Sequence, residues 1–224
     1  MFSLQGVSSG LGADVAGQGC RALNVNIKPV EYNASGTALG HYRVNHRTVL
    51  LAAQAANSRL FSLRNPSTNP CVITRLVIKW MQTAAHTAMI EDSLDIFKLT
   101  AFTVVDNTNV VTLSSVVKRT GNMAAAPNVV ATGVTVAGAA AGMTGGTLTK
   151  SANSIGQLPY LLSLAAPTGN VPPQILDIFD DVNGTHPLVL GQNEGFEIEN
   201  RVLLGAAAGS SIYVDCGWAE VSSF

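Results

Sequence analysis

Two stretches near the C-terminus alternate between apolar and charged residues with a period of two. Across residues 196–204 the even positions carry apolar or amide side chains, whereas Glu197, Glu199 and Arg201 occupy odd positions. Residues 212–218 repeat the alternation. A period of two places successive side chains on opposite faces of an extended strand. The pattern therefore predicts two half-buried antiparallel strands.

The segment CVITRLVIKWMQ, residues 71–82, is the most regular stretch in the first half of the chain. It predicts another strand, because apolar and basic residues alternate along it. We expect Val72, Leu76, Ile78 and Trp80 to share the face that packs into the core. The basic residues between them then lie on the opposite face.

Short apolar or alternating runs separated by turn residues recur along the chain, and no stretch keeps a period of 3.6 residues. Residues 89–106 hold one such run, with a short helix over 89–94 as the alternative interpretation. The runs amount to roughly eight to ten strands. We predict an all-β fold, an antiparallel β-sandwich of the jelly-roll type with an extended N-terminal arm. The arm covers residues 1–20, and the single sandwich domain covers residues 21–224.

Charged residues make up only 12% of the chain, whereas a typical soluble domain carries about 25%. Between Arg119 and Asp177 the only charged residue is Lys150. This stretch contains a Gly/Ala/Thr-rich excursion at about 120–156, too rich in Gly, Thr and Asn to span a membrane. Small side chains let another backbone approach closely, so we expect the excursion to be buried at a contact between subunits.

The first twenty residues are rich in Gly, Ser and Ala and nearly free of charge. Such a segment buries too little apolar surface to offset the entropy lost when it becomes ordered. We expect a neighbouring subunit to hold it, through the apolar residues Phe2, Leu4, Leu11 and Val15. The opening MFSLQGVSSG lacks the basic start and apolar stretch of a secretion signal, so none is expected.

The near-zero net charge of −1 hides an asymmetry along the chain. From Arg21 to Lys79 the only acid is Glu31, whereas acidic residues dominate from Trp80 onward. We expect the two halves to neutralise each other within the fold or between identical subunits. Because the basic half has no run of Lys or Arg and no interleaved aromatic residues, nucleic-acid binding is not expected.

Few residues have the spacing that catalysis requires. Cys20, Cys71 and Cys216 show no CxxC spacing, so we interpret them as small buried apolar residues. His41 and His46 are five residues apart, which places them on opposite faces of a strand. The chain has no HExxH, GxSxG or P-loop motif. We therefore expect no catalytic residues, no cofactor and no enzyme activity.

The loop LDIFDDVNGTH is the best candidate for a ligand site. It brings together four oxygen-bearing side chains, Asp177, Asp180, Asp181 and Asn183. Calcium prefers such oxygen ligands, although the EF-hand pattern is not met. Asp and Asn also cap turns through their own backbone, which explains the same residues without a metal. A calcium-dependent lectin or a hydrolase using this loop stays an alternative function.

Two regions of the sequence resemble virion structural proteins of tailed bacteriophages. These are RLFSLRNPSTNPCVITRLVIKW and LVLGQNEGFEIENRVLL, the latter followed by SSIYVDCGWAEV; together they cover around a quarter of the chain. They resemble capsid decoration, or cement, proteins and related head or appendage proteins in their general residue pattern and in the order of the predicted strands. It implies a jelly-roll or similar sandwich, usually trimeric, without catalysis or cofactor.

The resemblance implies a partner and a location as well. The partner is the major capsid protein or another virion protein, and the location is the capsid surface, after assembly in the host cytoplasm. The leading hypothesis is therefore a homotrimeric decoration protein that binds and stabilises the coat lattice. The alternative within the virion is an appendage or receptor-binding module that recognises host carbohydrate.

Overall fold

The computed structural model describes residues 2–5, 12–15, 38–86, 89–113, 127–135, 143, 145–165, 174–177, 187–204 and 209–222. These residues form fourteen strands, all paired antiparallel, and include no helix. The strands are β1 Phe2–Gln5, β2 Gly12–Val15, β3 Ala38–Arg47, β4 Ser58–Asn65, β5 Cys71–Gln82, β6 Ile90–Val104, β7 Val110–Val111, β8 Val130–Gly133, β9 Thr147–Lys150, β10 Gly156–Leu162, β11 Gln174–Asp177, β12 Leu188–Leu190, β13 Glu194–Asn200 and β14 Ser210–Val221.

Two sheets pack face to face. The large sheet has seven strands in the order β10-β6-β13-β4-β8-β7, and β9 pairs with β6 along the same edge as β10. The small sheet has five strands in the order β11-β5-β14-β3, and β12 pairs with β5 beyond β11. Strands β1 and β2 pair only with each other among the described strands.

The strand order is that of a jelly roll. Eight framework strands follow one another along the chain as β3, β4, β5, β6, β10, the pair β11 and β12, β13 and β14. The first, eighth, third and sixth of these form the small sheet. The second, seventh, fourth and fifth form the large sheet, which β7, β8 and β9 extend. This arrangement confirms the predicted antiparallel sandwich of the jelly-roll type.

The core lies between the two sheets and is built from residues on the inward face of each strand. In β14 the even positions Ile212, Val214, Cys216 and Trp218 are buried, as the alternation predicts. The ring of Trp218 stacks on Tyr42 of β3, with centroids 5.8 Å apart. The described residues contain two free thiols, Cys71 and Cys216, and both lie in this core.

A second aromatic pair joins the sheets where β5 approaches β10. The rings of Trp80 and Tyr160 stack with centroids 3.9 Å apart and an interplanar angle of 15°. The Tyr160 hydroxyl donates a 2.5 Å hydrogen bond to Asp92 Oδ2. Trp80 therefore packs into the core, as predicted, and so does Trp218. Large aromatic side chains contribute much of the apolar burial in such a core.

A β-bulge changes the predicted face of Val72. In the pairing of β5 with β14, Gly217 opposes Arg75 but Trp218 opposes Ile73, so Thr74 is the extra residue. The bulge reverses the alternation and places Ile73 in the main core. Val72 lies instead in a small separate cluster with Val189, Ala219 and Val221. The prediction that it shares a face with Trp80 is wrong.

The charged face of β13 is covered rather than exposed. Glu197 and Glu199 are both buried. Arg59 Nε lies 2.9 Å from Glu197 Oε2, and Lys150 Nζ donates to both carboxylate oxygens of Glu199 at 2.9 Å. Lys150 Nζ also lies 4.5 Å from the centre of the Phe97 ring. The charges of Glu197 and Glu199 are thus neutralised by residues from β4 and β9.

The uncharged middle of the chain packs largely on its own fold where it is described. Strand β8 pairs with β4, and the main core includes Val129, Ala131, Val134 and Met143. Packing within the same chain therefore accounts for the burial of these residues, and a contact of the excursion with another subunit stays a prediction. Residues 120–126, 136–142 and 144 lie outside the described residues. The alternative of a helix over 89–94 is also wrong, because β6 begins at Ile90.

The buried pair of Arg59 and Glu197 predicts a large stability loss when it is broken. Glu197→Ala leaves the Arg59 guanidinium without its counter-charge in a buried site, which costs about 3–5 kcal/mol of unfolding free energy. As the control, Lys98→Ala removes an ion pair with Glu194 whose side chains are about one-third exposed. That change costs less than about 1 kcal/mol. Urea unfolding of both variants measures the difference, and equal losses would contradict the prediction.

His46 predicts a loss of stability in mild acid. Its ring lies 5.9 Å from Phe61, and a Cβ on Gly133 would be 2.3 Å from its Nε2 atom. Burial lowers the pKa of His46 in the folded chain. The unfolded chain therefore binds the proton more readily, and stability falls as the pH drops below the unfolded pKa of about 6.5.

The measurement is the unfolding free energy at pH about 8 and about 5.5, above and below that unfolded pKa, for the wild type and for His46→Leu. The drop on acidification should be smaller in the variant, because the other titrating groups are common to both chains. An unchanged drop would contradict the assignment to His46.

Candidate interaction surfaces

The predicted oxygen-ligand loop is only partly described. Asp177 ends β11 and pairs with Val77 of β5. Asp180, Asp181 and Asn183 lie outside the described residues. Within the described part of the chain, no group of three or more His, Cys, Asp or Glu side chains is arranged to hold a metal ion. A calcium site in this loop stays a prediction.

The predicted partner-binding residues of the arm fall on a hairpin. Strands β1 and β2 pair so that Phe2 is opposite Val15 and Leu4 is opposite Ala13. Three of the four predicted residues therefore lie on these two paired strands, whereas Leu11 lies outside the described residues. Docking of the hairpin on another chain stays a prediction.

The reactive side chains in the core have structural surroundings. Burial raises the pKa of the Cys71 and Cys216 thiols, which keeps them in the unreactive protonated form. His86 Nε2 lies 2.7 Å from Ser210 Oγ, but both residues are buried. Burial also lowers the pKa of His86. These buried groups stabilise the fold, and the candidate interaction sites lie on the surface.

Four connections meet at one end of the sandwich, which we call the loop end. They follow β3, β5, β10 and β13 and correspond to sequence segments 48–57, 83–89, 163–173 and 201–209, of which the structure describes residues 48–57, 83–86, 89, 163–165, 201–204 and 209. Arg201 is the only Lys, Arg, Asp or Glu residue in them. Connecting loops run over the surface and usually carry polar residues. A nearly charge-free set of four loops is therefore unusual.

Large apolar side chains are exposed at the loop end. Leu50 is 39% exposed, Met89 65%, Leu164 58% and Leu203 55%, one on each of the four connections. Two further exposed apolar residues, Leu161 and Ile175, lie on the adjoining strand ends of β10 and β11. Single exposed apolar residues are ordinary, but several of them at one end of a domain indicate an interaction surface.

Backbone hydrogen bonds join the four connections to one another. Leu51 N donates to Ser210 O at 2.7 Å, and Leu204 N donates to Gln54 O at 2.9 Å. His86 N donates to Ser163 O at 2.9 Å, and Thr83 N donates to Gly209 O at 2.6 Å. The apolar side chains of the loop end are thus carried on a connected framework. A preformed surface loses less conformational entropy when it binds.

The outer face of the small sheet carries the opposite chemistry, and we call it the basic face. Four cations occupy it: Arg43 and Arg75 flank Gly217 of β14, and Arg47 and Lys79 flank Tyr213. Asp215 lies between them on the central strand. By register Asp177 also belongs to this face, opposite Val77. The face is therefore net positive.

Asp215 holds two of these cations in place. It accepts hydrogen bonds from Arg43 Nε at 2.5 Å and from Arg75 Nε at 2.9 Å, and it also contacts Arg43 Nη2. Burial raises the pKa of Asp215, but the bonds from the two arginines outweigh it and hold the pKa below its ordinary value. The guanidinium of Arg47 lies 5.2 Å from the centre of the Tyr213 ring.

The charge asymmetry of the sequence is neutralised in part within the fold, as expected. Arg43 and Arg75 from the basic half pair with Asp215, and Arg59 pairs with Glu197. Most acids of the described residues are buried, including Asp92, Asp95, Asp106, Glu197, Glu199 and Glu220. The exposed charge of the small sheet is consequently positive although the chain as a whole carries −1.

Comparison with known proteins identifies no relative. No protein family matches the chain, and neither the curated proteins nor the solved structures provide a match. Among the described residues, no helix has the length and apolar character needed to cross a membrane. The function is therefore inferred from the fold and from its two surfaces, the loop end and the basic face.

Proposed function

We propose that the chain is a non-enzymatic virion structural protein, a decoration protein that binds and stabilises the assembled coat lattice of a tailed bacteriophage. One observation carries the proposal: a jelly-roll framework presents a preformed, apolar and nearly charge-free loop end. The resemblance of residues 59–80 and 188–221 to virion structural proteins supports it. Jelly rolls occur in viral capsid proteins and also in lectins and cupins, so the fold alone does not choose among them.

The composition of the loop end supports a protein partner rather than a carbohydrate. Apolar surface is stabilised by about 25 cal/mol for each Å² removed from water. Leu50, Met89, Leu164 and Leu203 together present such surface at one end of the molecule. A carbohydrate ligand needs hydrogen-bonding groups and aromatic rings, and these four side chains offer neither. The loop end therefore favours a structural contact between proteins.

A homotrimer is the form we propose, with the loop ends in contact with one another. In a closed ring, residues near the symmetry axis meet their own copies. A charged residue there repels itself, whereas an apolar residue attracts its copies without any further matching. The loop end has this composition, with Arg201 as its only charged residue in the four connections. Three joined subunits then bind the lattice with greater avidity than one.

Such a protein acts by mass action. A ligand that binds only the assembled shell stabilises that shell relative to its separated subunits. Catalytic groups and cofactors have no part in this mechanism, and rigidity of the bound protein is the useful property. The closely packed sandwich and the hydrogen bonds between its loops supply that rigidity.

The oligomeric state tests the role of the loop end. We expect sedimentation equilibrium to give the mass of a trimer for the full chain, and a monomer for the double variant Leu50→Ser with Leu203→Ser. The matched control is Val104→Ser with Val110→Ser, because these residues are 47% and 46% exposed away from the loop end. The control variant should stay trimeric. A monomeric wild type, or a control that dissociates equally, would contradict the assignment.

Particle binding tests the decoration role itself. Purified full-length chain, added to heads of the encoding virus from which this protein has been removed, should rebind and raise the temperature at which the heads release their DNA. The Leu50→Ser, Leu203→Ser variant should rebind more weakly because it loses avidity. Absence of the chain from purified virions, or failure of the wild type to rebind, would overturn the proposal.

A further inference from the structure

We propose that the basic face is the lattice-binding surface and that it fits a carboxylate-rich patch on the partner protein. The inference rests on the proposed function, because it names the chemistry of the partner in that role. The basic face was defined by Arg43, Arg47, Arg75 and Lys79 around the central strand β14. It lies on the side of the small sheet that faces away from the core.

The four cations stand at the corners of a rectangle. Arg43 and Arg75 are both opposite Gly217, and Arg47 and Lys79 are both opposite Tyr213, so each pair is two strands apart. Strand spacing makes that separation about 10 Å, and four residues along a strand span about 14 Å. Separate anionic side chains of a partner can reach separate corners of such a figure.

Two arginines of the basic face already bond to a carboxylate of the same chain, that of Asp215. Arg43 donates hydrogen bonds to it from Nε and Nη2, and Arg75 donates one from Nε. These contacts fix the direction of both guanidinium groups while their remaining N–H donors stay available. The side chains of Arg43 and Arg75 are 36% and 45% exposed. Arginine forks match the geometry of carboxylates, and a fork that is already oriented loses less entropy on binding.

Gly217 of β14 lies between Arg43 and Arg75, on one side of the rectangle, and is buried. A Cβ there would be 3.3 Å from Arg75 Cβ and 3.5 Å from Thr74 Oγ1. A larger residue at this position would push against Arg75, whereas glycine leaves that side chain its space.

Protein carboxylates fit this surface better than the phosphates of a nucleic acid. A phosphate backbone is a continuous line of negative charge, and Asp215 lies in the middle of the face, where it repels such a line. Single-stranded nucleic acids also stack their bases on aromatic rings. The Tyr213 ring is already in contact with the Arg47 guanidinium. Carboxylates placed at the corners avoid Asp215 and need no stacking.

The test measures binding of poly-L-glutamate to the full chain, with a twenty-residue oligothymidylate as the phosphate probe. The test variant is Arg47→Ser with Lys79→Ser, which removes two corners but leaves the Asp215 cluster intact. The charge-matched control is Arg64→Ser with Lys98→Ser, which removes the same charge from β4 and β6, outside both the basic face and the loop end. Circular dichroism and urea unfolding verify that all variants are folded.

We expect poly-L-glutamate to bind the wild type and the control equally, and the test variant about tenfold more weakly. Binding should also weaken as salt rises from about 50 to 200 mM, because the ion pairs are exposed. Equal binding by the test variant and the control would overturn the assignment of the face. Tighter binding of the oligothymidylate through the same two corners would replace the carboxylate partner by a nucleic acid.

Asp215→Asn tests whether orientation matters. If a diffuse positive field attracts poly-L-glutamate, removal of the Asp215 carboxylate strengthens that field and binding becomes tighter. If oriented arginines bind it, as we propose, loss of Asp215 removes their orientation and binding becomes weaker. Tighter binding by this variant would overturn the oriented-arginine geometry on which the proposal stands.

Particle binding separates this inference from the proposed function. If the wild type rebinds to heads and Arg47→Ser with Lys79→Ser rebinds equally well, the basic face is not the lattice surface, although the decoration role holds. If poly-L-glutamate binding depends on the two corners but no chain rebinds to heads, the decoration role fails and the face serves another acidic protein.

Discussion

The packing of the inward residues between the two sheets is the interaction on which the rest of the structure depends. Because the pleat has a period of two, residues that turn inward also determine which residues turn outward. In β3 and β14, inward Tyr42 and Trp218 stack in the core, while outward Arg43 and Asp215 form an ion pair. A shift of register by one residue would bury the charges and expose the rings. The core and the basic face are therefore specified together.

Much of the fold follows from patterns within single strands. The alternation in β14 predicted its buried residues, and both tryptophans pack in the core as expected. The errors arise where distant residues intervene. Nothing in residues 71–82 alone marks Thr74 as a bulge, because the bulge is defined by pairing with β14. Glu197 and Glu199 look solvent-exposed in sequence, and only the approach of Arg59 and Lys150 from other strands covers them.

The interaction surfaces were harder to predict than the core, for a topological reason. The exposed apolar residues of the loop end are far apart in sequence. They lie at the same end of the molecule only because four connections leave the sandwich there. The basic residues are likewise spread over two strands rather than forming a run, so the sequence analysis assigned them to neutralisation within the fold or between identical subunits. The low content of charged residues indicated that the chain has an interaction surface, but it did not indicate where on the fold that surface lies.

The two surfaces differ in what they can bind, and this difference suggests how they divide the proposed role. An apolar surface without charge is compatible with itself, so it suits contacts between identical subunits around an axis. A surface of one sign repels its own copy and suits an unlike partner of the opposite sign. If the loop ends join three subunits, three basic faces are carried by one rigid particle. Weak, salt-sensitive contacts can then act together, because after the first face binds, the others meet the lattice at a high effective concentration.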